Sequence, residues 1–266
     1  MPTTWHYGLV ARDWAEFETD PGEETVYYQR IIERSGEPAL DLGCGTGRLL
    51  IPYLKAGMDI DGVDISADMV DQARAAAEAA GFAPGLFCQP MHQLDLPRRY
   101  RTIIARGVIG LGGRQDLTLK AFGRIREHLR PGGTFAFDYM ARWNNPPAWL
   151  ARLPEFRNGP EEPWPDSTER QRLADGSELE TATRTLHTDP LENVAVRQIR
   201  ARLWRDGDLV EEQIHTQHLD DYTKNELLLM LRVAGFNHID LHGDFTDSPA
   251  TPDTRDLVFL ARAAAS

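Results

Sequence analysis

The run Ala39 to Leu50, ALDLGCGTGRLL, sets three glycines at every second position directly after an apolar, strand-like segment. A helical segment, GRLLIPYLKAG, follows and stops at Gly57. A strand that turns through glycines into a helix lets a ligand come very close to backbone N–H groups at the helix N-terminus. Spacing then decides which ligand. A dinucleotide-binding turn reads GxGxxG, and a P-loop reads GxxxxGK[ST]. Here Gly43, Gly45 and Gly47 give GxGxG, Arg48 stands where the third Rossmann glycine belongs, and no GK[ST] follows. The P-loop is excluded, and an NAD-dependent oxidoreductase is disfavoured.

Asp41 lies two residues before the first glycine. A carboxylate there repels a phosphate and attracts a cationic amino group, which favours a zwitterionic ligand. A second acidic residue, Asp64 in GVDIS, stands 64 − 43 = 21 residues after Gly43. That separation fits one helix and one strand, and places a carboxylate where ribose hydroxyls are bound in open α/β sheets.

Strand-like and helical segments alternate as far as Met140: PALDLG, MDIDGVDI, GLFCQP, YRTIIARGV and TFAFDYM, with helices between most of them. This alternation predicts a parallel sheet covered on both faces. Ser66 is the expected cap of ADMVDQARAAAEAA, and Gly81 its stop. After Met140 the pattern changes. A Pro- and Trp-rich stretch to Pro165 reads as loop, and three alternating segments, SELETATRTLHT, NVAVRQIRARLW and DLVEEQIHTQHL, read as an antiparallel sheet. Thr223 and Glu226 form a capping box for TKNELLLMLRVAGF, and HIDLHGDF and RDLVFLAR read as two last strands. The expected divisions are an N-terminal helical segment 1–35, a core 36–140, an insertion 141–222 and a completing segment 223–266.

A net charge of −12 argues against a nucleic-acid partner, since phosphate binding relies on Lys and Arg clusters. No run of 18 apolar residues or signal-peptide pattern is present, and Cys44 and Cys88 have no metal-ligand spacing. These features lead to the expectation of a cytoplasmic chain with no membrane partner and no metal. Oligomeric state is left open, with a homodimer as one option.

The glycine turn, GVDISADMVDQAR and LRPGGTFAFDY together resemble the class I S-adenosylmethionine-dependent methyltransferase family. The resemblance covers roughly residues 30–140 and the last 45, and is loosely nearest the small-molecule N-methyltransferases. It implies a Rossmann-like α/β fold: a seven-stranded, mostly parallel sheet with the last strand antiparallel, an inserted antiparallel β layer and a helical lid. It implies S-adenosyl-L-methionine as cofactor and a small-molecule methyl acceptor, methylated on N or O. A non-catalytic cofactor-binding sensor or partner subunit is the alternative.

Residue by residue, the resemblance gives Asp41, Gly43, Cys44, Gly45 and Gly47 the methionine end, and Asp64 the ribose. Ile65 and Met69 would flank adenine. Relatives often carry an acidic residue after strand three, but this chain reads QPM, with Pro90 in its place, which leaves Met91 and His92 for the adenine contact. Arg106 follows strand four at the pocket mouth, and Arg12 in the lid would meet the methionine carboxylate. Trp143, Trp149 and Trp164 are expected to close over an organic substrate. Tyr139, ending strand five, and His215, on the insertion, are the candidate bases. The NPPA run, Asn145 to Ala148, resembles the NPPY motif of other methyltransferases but follows strand five and lacks the aromatic, so it reads as loop.

Overall fold

The computed structural model describes residues 6–20, 22–112, 114–141, 149–157, 164 and 169–264. The chain divides into two compact units. The larger comprises 20–109, 114–145 and 222–266; the smaller comprises 1–19, 110–113 and 146–221. The segment expected as one helical lid is two helices, α1 (Gly8–Phe17) and α2 (Gly22–Ser35), and the unit boundary falls between them.

In the larger unit, β1 (Ala39–Leu42), β2 (Ile60–Asp64), β3 (Leu86–Cys88), β4 (Tyr100–Ala105) and β5 (Leu129–Met140) alternate with α3 (Leu50–Lys55), α4 (Ala67–Ala79) and α5 (Gln115–His128). The final strands, β10 (Phe236–Gly243) and β11 (Asp256–Ala263), complete a seven-stranded sheet ordered β10-β11-β5-β4-β1-β2-β3. Strands β1 to β5 pair in parallel, and β11 runs antiparallel to both β5 and β10. This is the Rossmann-like α/β class expected from the sequence. The strands are mostly apolar because both faces are covered, with Asp41, Asp64 and Asp138 among the buried exceptions. One face packs around Leu40, Ile103, Phe122, Phe137 and Phe259, and the other around Tyr28, Ile32, Leu50, Tyr53 and Ile104.

The expected end signals hold. Ser66 Oγ accepts from Met69 N at 3.3 Å to cap α4. Thr223 and Glu226 close their box on α6 (Lys224–Val233). From β1 the chain moves outward through β2 and β3, then crosses to β4 on the other side of β1. The strand order therefore reverses between β1 and β4, where ligands bind beyond the strand C-termini of open α/β sheets.

The smaller unit is an antiparallel sheet, β6 (Gln171–Arg172), β7 (Glu178–Asp189), β8 (Val194–Arg205) and β9 (Asp208–Asp220), in sequential order. Alternation gives it two unlike faces. Leu179, Ile199, Ala201 and Leu203 pack with Leu9 and Val10 of α1. On the other face, Arg200 pairs with Glu180 at 3.5 Å, and the Trp164 ring lies under the guanidinium groups of Arg184 and Arg200.

Candidate active site

The glycine turn is held in place from two sides. Gly43 N and Cys44 N both donate to Val63 O on β2, at 2.7 and 2.9 Å, and Gly47 N donates back to Cys44 O at 2.9 Å. Gly43 has a φ of +79°, and a Cβ there would stand 2.3 Å from Val108 Cγ1, so a side chain is excluded twice over. Gly45 differs. Its φ is +54°, but no atom lies within 4 Å of the place a Cβ would take. The turn is therefore tight beneath its first glycine and open above its second.

Two carboxylates flank this opening. Asp64 ends β2 and accepts from Gly45 N at 3.0 Å through Oδ2 and from Ser66 N at 2.9 Å through Oδ1. Burial raises its carboxyl, and the backbone N–H bonds partly offset that effect. Asp41, on β1 between β2 and β4, is only 2 % exposed, and its Oδ2 has no hydrogen-bond partner. Burial pushes its carboxyl up to about 7, with Asp64 adding to the rise and the Arg48 charge opposing it. A buried acceptor without a donor is costly, and few native groups are left in that state.

A chain of alternating charges forms a further wall. Arg48 Nη1 donates to Glu24 Oε1 on α2 at 2.9 Å, and Arg106 Nε donates to the same oxygen at 3.3 Å. Arg106 Nη1 reaches Asp138 Oδ2 on β5 at 2.8 Å, while Asp138 Oδ1 accepts from Tyr28 Oη and Gly107 N at 2.9 and 3.0 Å. Burial alone would lift Glu24, but hydrogen bonds and the two arginine charges carry its carboxyl below the ordinary value. Asp138 stays raised, because full burial outweighs Arg106.

The other sequence-derived residues fall in several places. Ile65 is half-buried, Met69 is buried at the start of α4, and Met91 and His92 lie on the short turn after β3. Cys44 is buried, and burial raises its thiol. Tyr139 is buried, and its hydroxyl accepts from Tyr222 N at 2.7 Å. Arg12 and His215 belong to the smaller unit. There Arg12 pairs with Asp175 at 3.1 Å. His215 is buried beside the Tyr7 ring, with Nε2 at 3.2 Å from Gln213 Oε1, Nδ1 unpartnered, and its pKa lowered by burial. Trp143 and the run Asn145 to Ala148 lie outside the described residues. Trp149 is exposed.

Glu24 and Asp138 were not among the candidates. Asp138 had a signal, a lone charge within the apolar strand TFAFDYM; Glu24 had none, since it is one of several acids on its helix.

Comparison with known proteins settles the fold. A family model described as a methyltransferase domain matches residues 39–133. The CcbJ methyltransferase from Streptomyces caelestis superposes with a TM-score of 0.71, covering 100% of both chains at 24% identity. The chain has the class I S-adenosylmethionine-dependent methyltransferase fold. The sugar N-methyltransferase KedS8 from a Streptoalloteichus species superposes with a TM-score of 0.68 at 19% identity, covering 96% of this chain and 92% of that one. In sequence, a ubiquinone biosynthesis O-methyltransferase from Nitrobacter winogradskyi is 32% identical over 108 residues, 41% of this chain and 40% of that protein. The chain thus spans about two-fifths of the first curated relatives it matches. Among the described residues no helix is long and apolar enough to cross a membrane, and no cluster of three or more His, Cys, Asp or Glu could hold a metal ion.

Proposed function

We propose that this chain transfers a methyl group from S-adenosyl-L-methionine to a nitrogen or oxygen of a small organic molecule. The observation that carries the reading is the orphaned, buried Oδ2 of Asp41, two residues before a glycine turn whose second glycine is open. A pyrophosphate there would face two buried carboxylates, whereas an ammonium group would supply the donor that Asp41 lacks. The residues present therefore fit the amino acid end of the cofactor.

When bound, S-adenosylmethionine supplies an electrophilic methyl whose leaving group is a neutral thioether. The protein's part is alignment and exclusion of water, which together account for several kcal/mol of a barrier. Asp41 accepts from the ligand ammonium, and Asp64 accepts from ribose hydroxyls. Gly43, Cys44, Gly45 and Gly47 bring backbone against the ligand. Ile65, Met69, Met91 and His92 flank the adenine, and Arg106 serves the methionine end. A base is needed only for an acceptor that must lose a proton. Tyr139 and His215 are the two candidates for that base. The sugar N-methyltransferase and the quinone-pathway O-methyltransferase among the similar proteins support a small-molecule acceptor and leave N and O both open.

Calorimetry with S-adenosylhomocysteine should give micromolar-range binding that Asp64→Ala abolishes. Supplying S-adenosylmethionine with amino sugars or phenols should then release S-adenosylhomocysteine. Failure of the wild type to bind either nucleoside overturns the proposal. Binding without turnover on any acceptor would favour the sensor.

A further inference from the structure

The turn that links β10 toward β11 holds a conformation its sequence does not favour. Gly243, Asp244, Phe245 and Thr246 form a four-residue turn closed by Thr246 N donating to Gly243 O at 3.0 Å. Asp244 and Phe245 both sit in the left-handed region, at φ +50° and +53°. Turns with two such residues ordinarily use Asn-Gly or Asp-Gly, and a bulky aromatic side chain at the second position is strained. The strain is held in place by neighbours. Asp244 N donates to Asp256 O at 2.8 Å, and Asp244 Oδ1 accepts from Arg255 N and Asp256 N at 2.9 and 2.8 Å.

The strained position aims the Phe245 ring back at the ligand end of the sheet. Its centroid lies 6.1 Å from those of Tyr27 and Tyr28 on α2, and the Arg106 guanidinium stands 5.1 Å over its face. A cation over an aromatic face is attracted by the ring's quadrupole and held against that face. Arg106 is also the central member of the charge chain, joined to Asp138 directly and to Arg48 through Glu24. Arg48 follows the last glycine of the turn and opposes the rise in the Asp41 carboxyl.

We propose that Phe245 is a positioning residue for the amino acid end of the cofactor. From its strained turn it fixes the Arg106 guanidinium, and through Glu24 and Arg48 it fixes the wall around the glycine turn and Asp41. This inference rests on the methyltransferase reading above. It goes further by giving a role to a segment far from every glycine-turn residue in sequence. It also separates two halves of the ligand. The charge chain bears on the amino acid, while Asp64, Ile65 and Met69 serve the nucleoside.

The test uses the full-length protein with two probes, S-adenosylhomocysteine and 5′-methylthioadenosine, which shares the nucleoside but lacks the amino acid. Phe245→Gly relieves the backbone strain and removes the ring; Phe245→Leu keeps apolar cover without the aromatic face. Both should weaken S-adenosylhomocysteine binding about tenfold and leave 5′-methylthioadenosine binding within twofold of wild type. In an Arg106→Gln background, Phe245→Leu should add no further loss. Unchanged affinity for S-adenosylhomocysteine in both folded variants overturns the proposal. So does an equal loss for both probes, which would mark Phe245 as support for the fold alone. A wild type that binds neither probe is a separate failure, that of the methyltransferase reading itself, and takes this inference with it.

Discussion

Burial lifts the Asp41 carboxyl from its ordinary 3.8 to about 7, so in the free protein it titrates near neutrality. Between those values the folded chain holds a proton that the unfolded chain has released. Stability therefore falls as pH rises through this window. Asp41→Asn removes the penalty. Urea denaturation should find the variant more stable than wild type near pH 8, by roughly 2–4 kcal/mol, with the two converging near pH 4. The same substitution should weaken S-adenosylhomocysteine binding and erase its rise with pH between 6 and 8. A constant stability difference across that range would show that Asp41 is not the titrating group. The glycines give a second test at this scale. Gly43→Ala drives a Cβ into Val108 and should destabilise the fold by about 1–3 kcal/mol. Gly45→Ala meets no protein atom, so it should stay folded, at a backbone cost of about 1 kcal/mol, and lose ligand affinity because its methyl projects into the opening. Equal ligand affinity in Gly45→Ala and wild type, by calorimetry, would mean that nothing binds over the second glycine. Asp41, Asp64 and the glycines were legible in sequence because their spacing is local. The Glu24–Arg106–Asp138 chain was not, since its members lie 82 and 32 residues apart and no periodicity links them.

Helix ends show how far local chemistry carries. Ser66 and Thr223 both cap helices, and each was readable as a hydroxyl residue before a helical run. They differ in what the helix does next. Helix α6 packs Leu227 and Leu231 into the core, and its cap makes no hydrogen bond to the glycine turn or Asp64 among the described residues. Thr223→Ala should cost about 1 kcal/mol of stability and leave S-adenosylhomocysteine affinity untouched. Helix α4 starts beside Asp64 and carries Met69 in its first turn, so Ser66→Ala should cost a similar amount and weaken binding several-fold. Paired melting and calorimetry runs check both; equal ligand effects would detach α4 from the site. Strand alternation and glycine stops were equally plain in the sequence, which is why the sheet and the insertion were anticipated. The aromatic residues of 1–35 fixed helicity without fixing a partner. Tyr27 and Tyr28 are buried in the larger unit, while Leu9 and Val10 pack with β7 and β8 of the smaller. The left-handed turn at Asp244 and Phe245 was invisible for a different reason, since Asp tolerates that region but nothing about Phe calls for it.

At the level of the molecule, the chain holds two compact units with separate apolar cores. Asp41, Asp64 and the glycine turn all belong to the larger unit, so ligand binding acts first on that unit's folding equilibrium. A ligand at a hundred times its dissociation constant stabilises the state it binds by about 2.7 kcal/mol, equivalent to roughly a hundredfold slowing of exchange through the unfolded form. Hydrogen exchange with saturating S-adenosylhomocysteine should therefore slow amides of β1, β2 and β4 by about that factor. If the units open independently, amides of β7, β8 and β9 should keep their unliganded rates. Added protection confined to α1 would tie Arg12 to the ligand, as the family resemblance expects. The same experiment guards against a misreading of truncation. Removing residues 1–20 would strip Leu9 and Val10 from Leu173, Leu179 and Ile199, so lost turnover would report a damaged sheet as readily as a missing lid. Equal slowing in both sheets would show that the two cores open as one cooperative body, and would make point substitutions in α1 the only clean probe of its role.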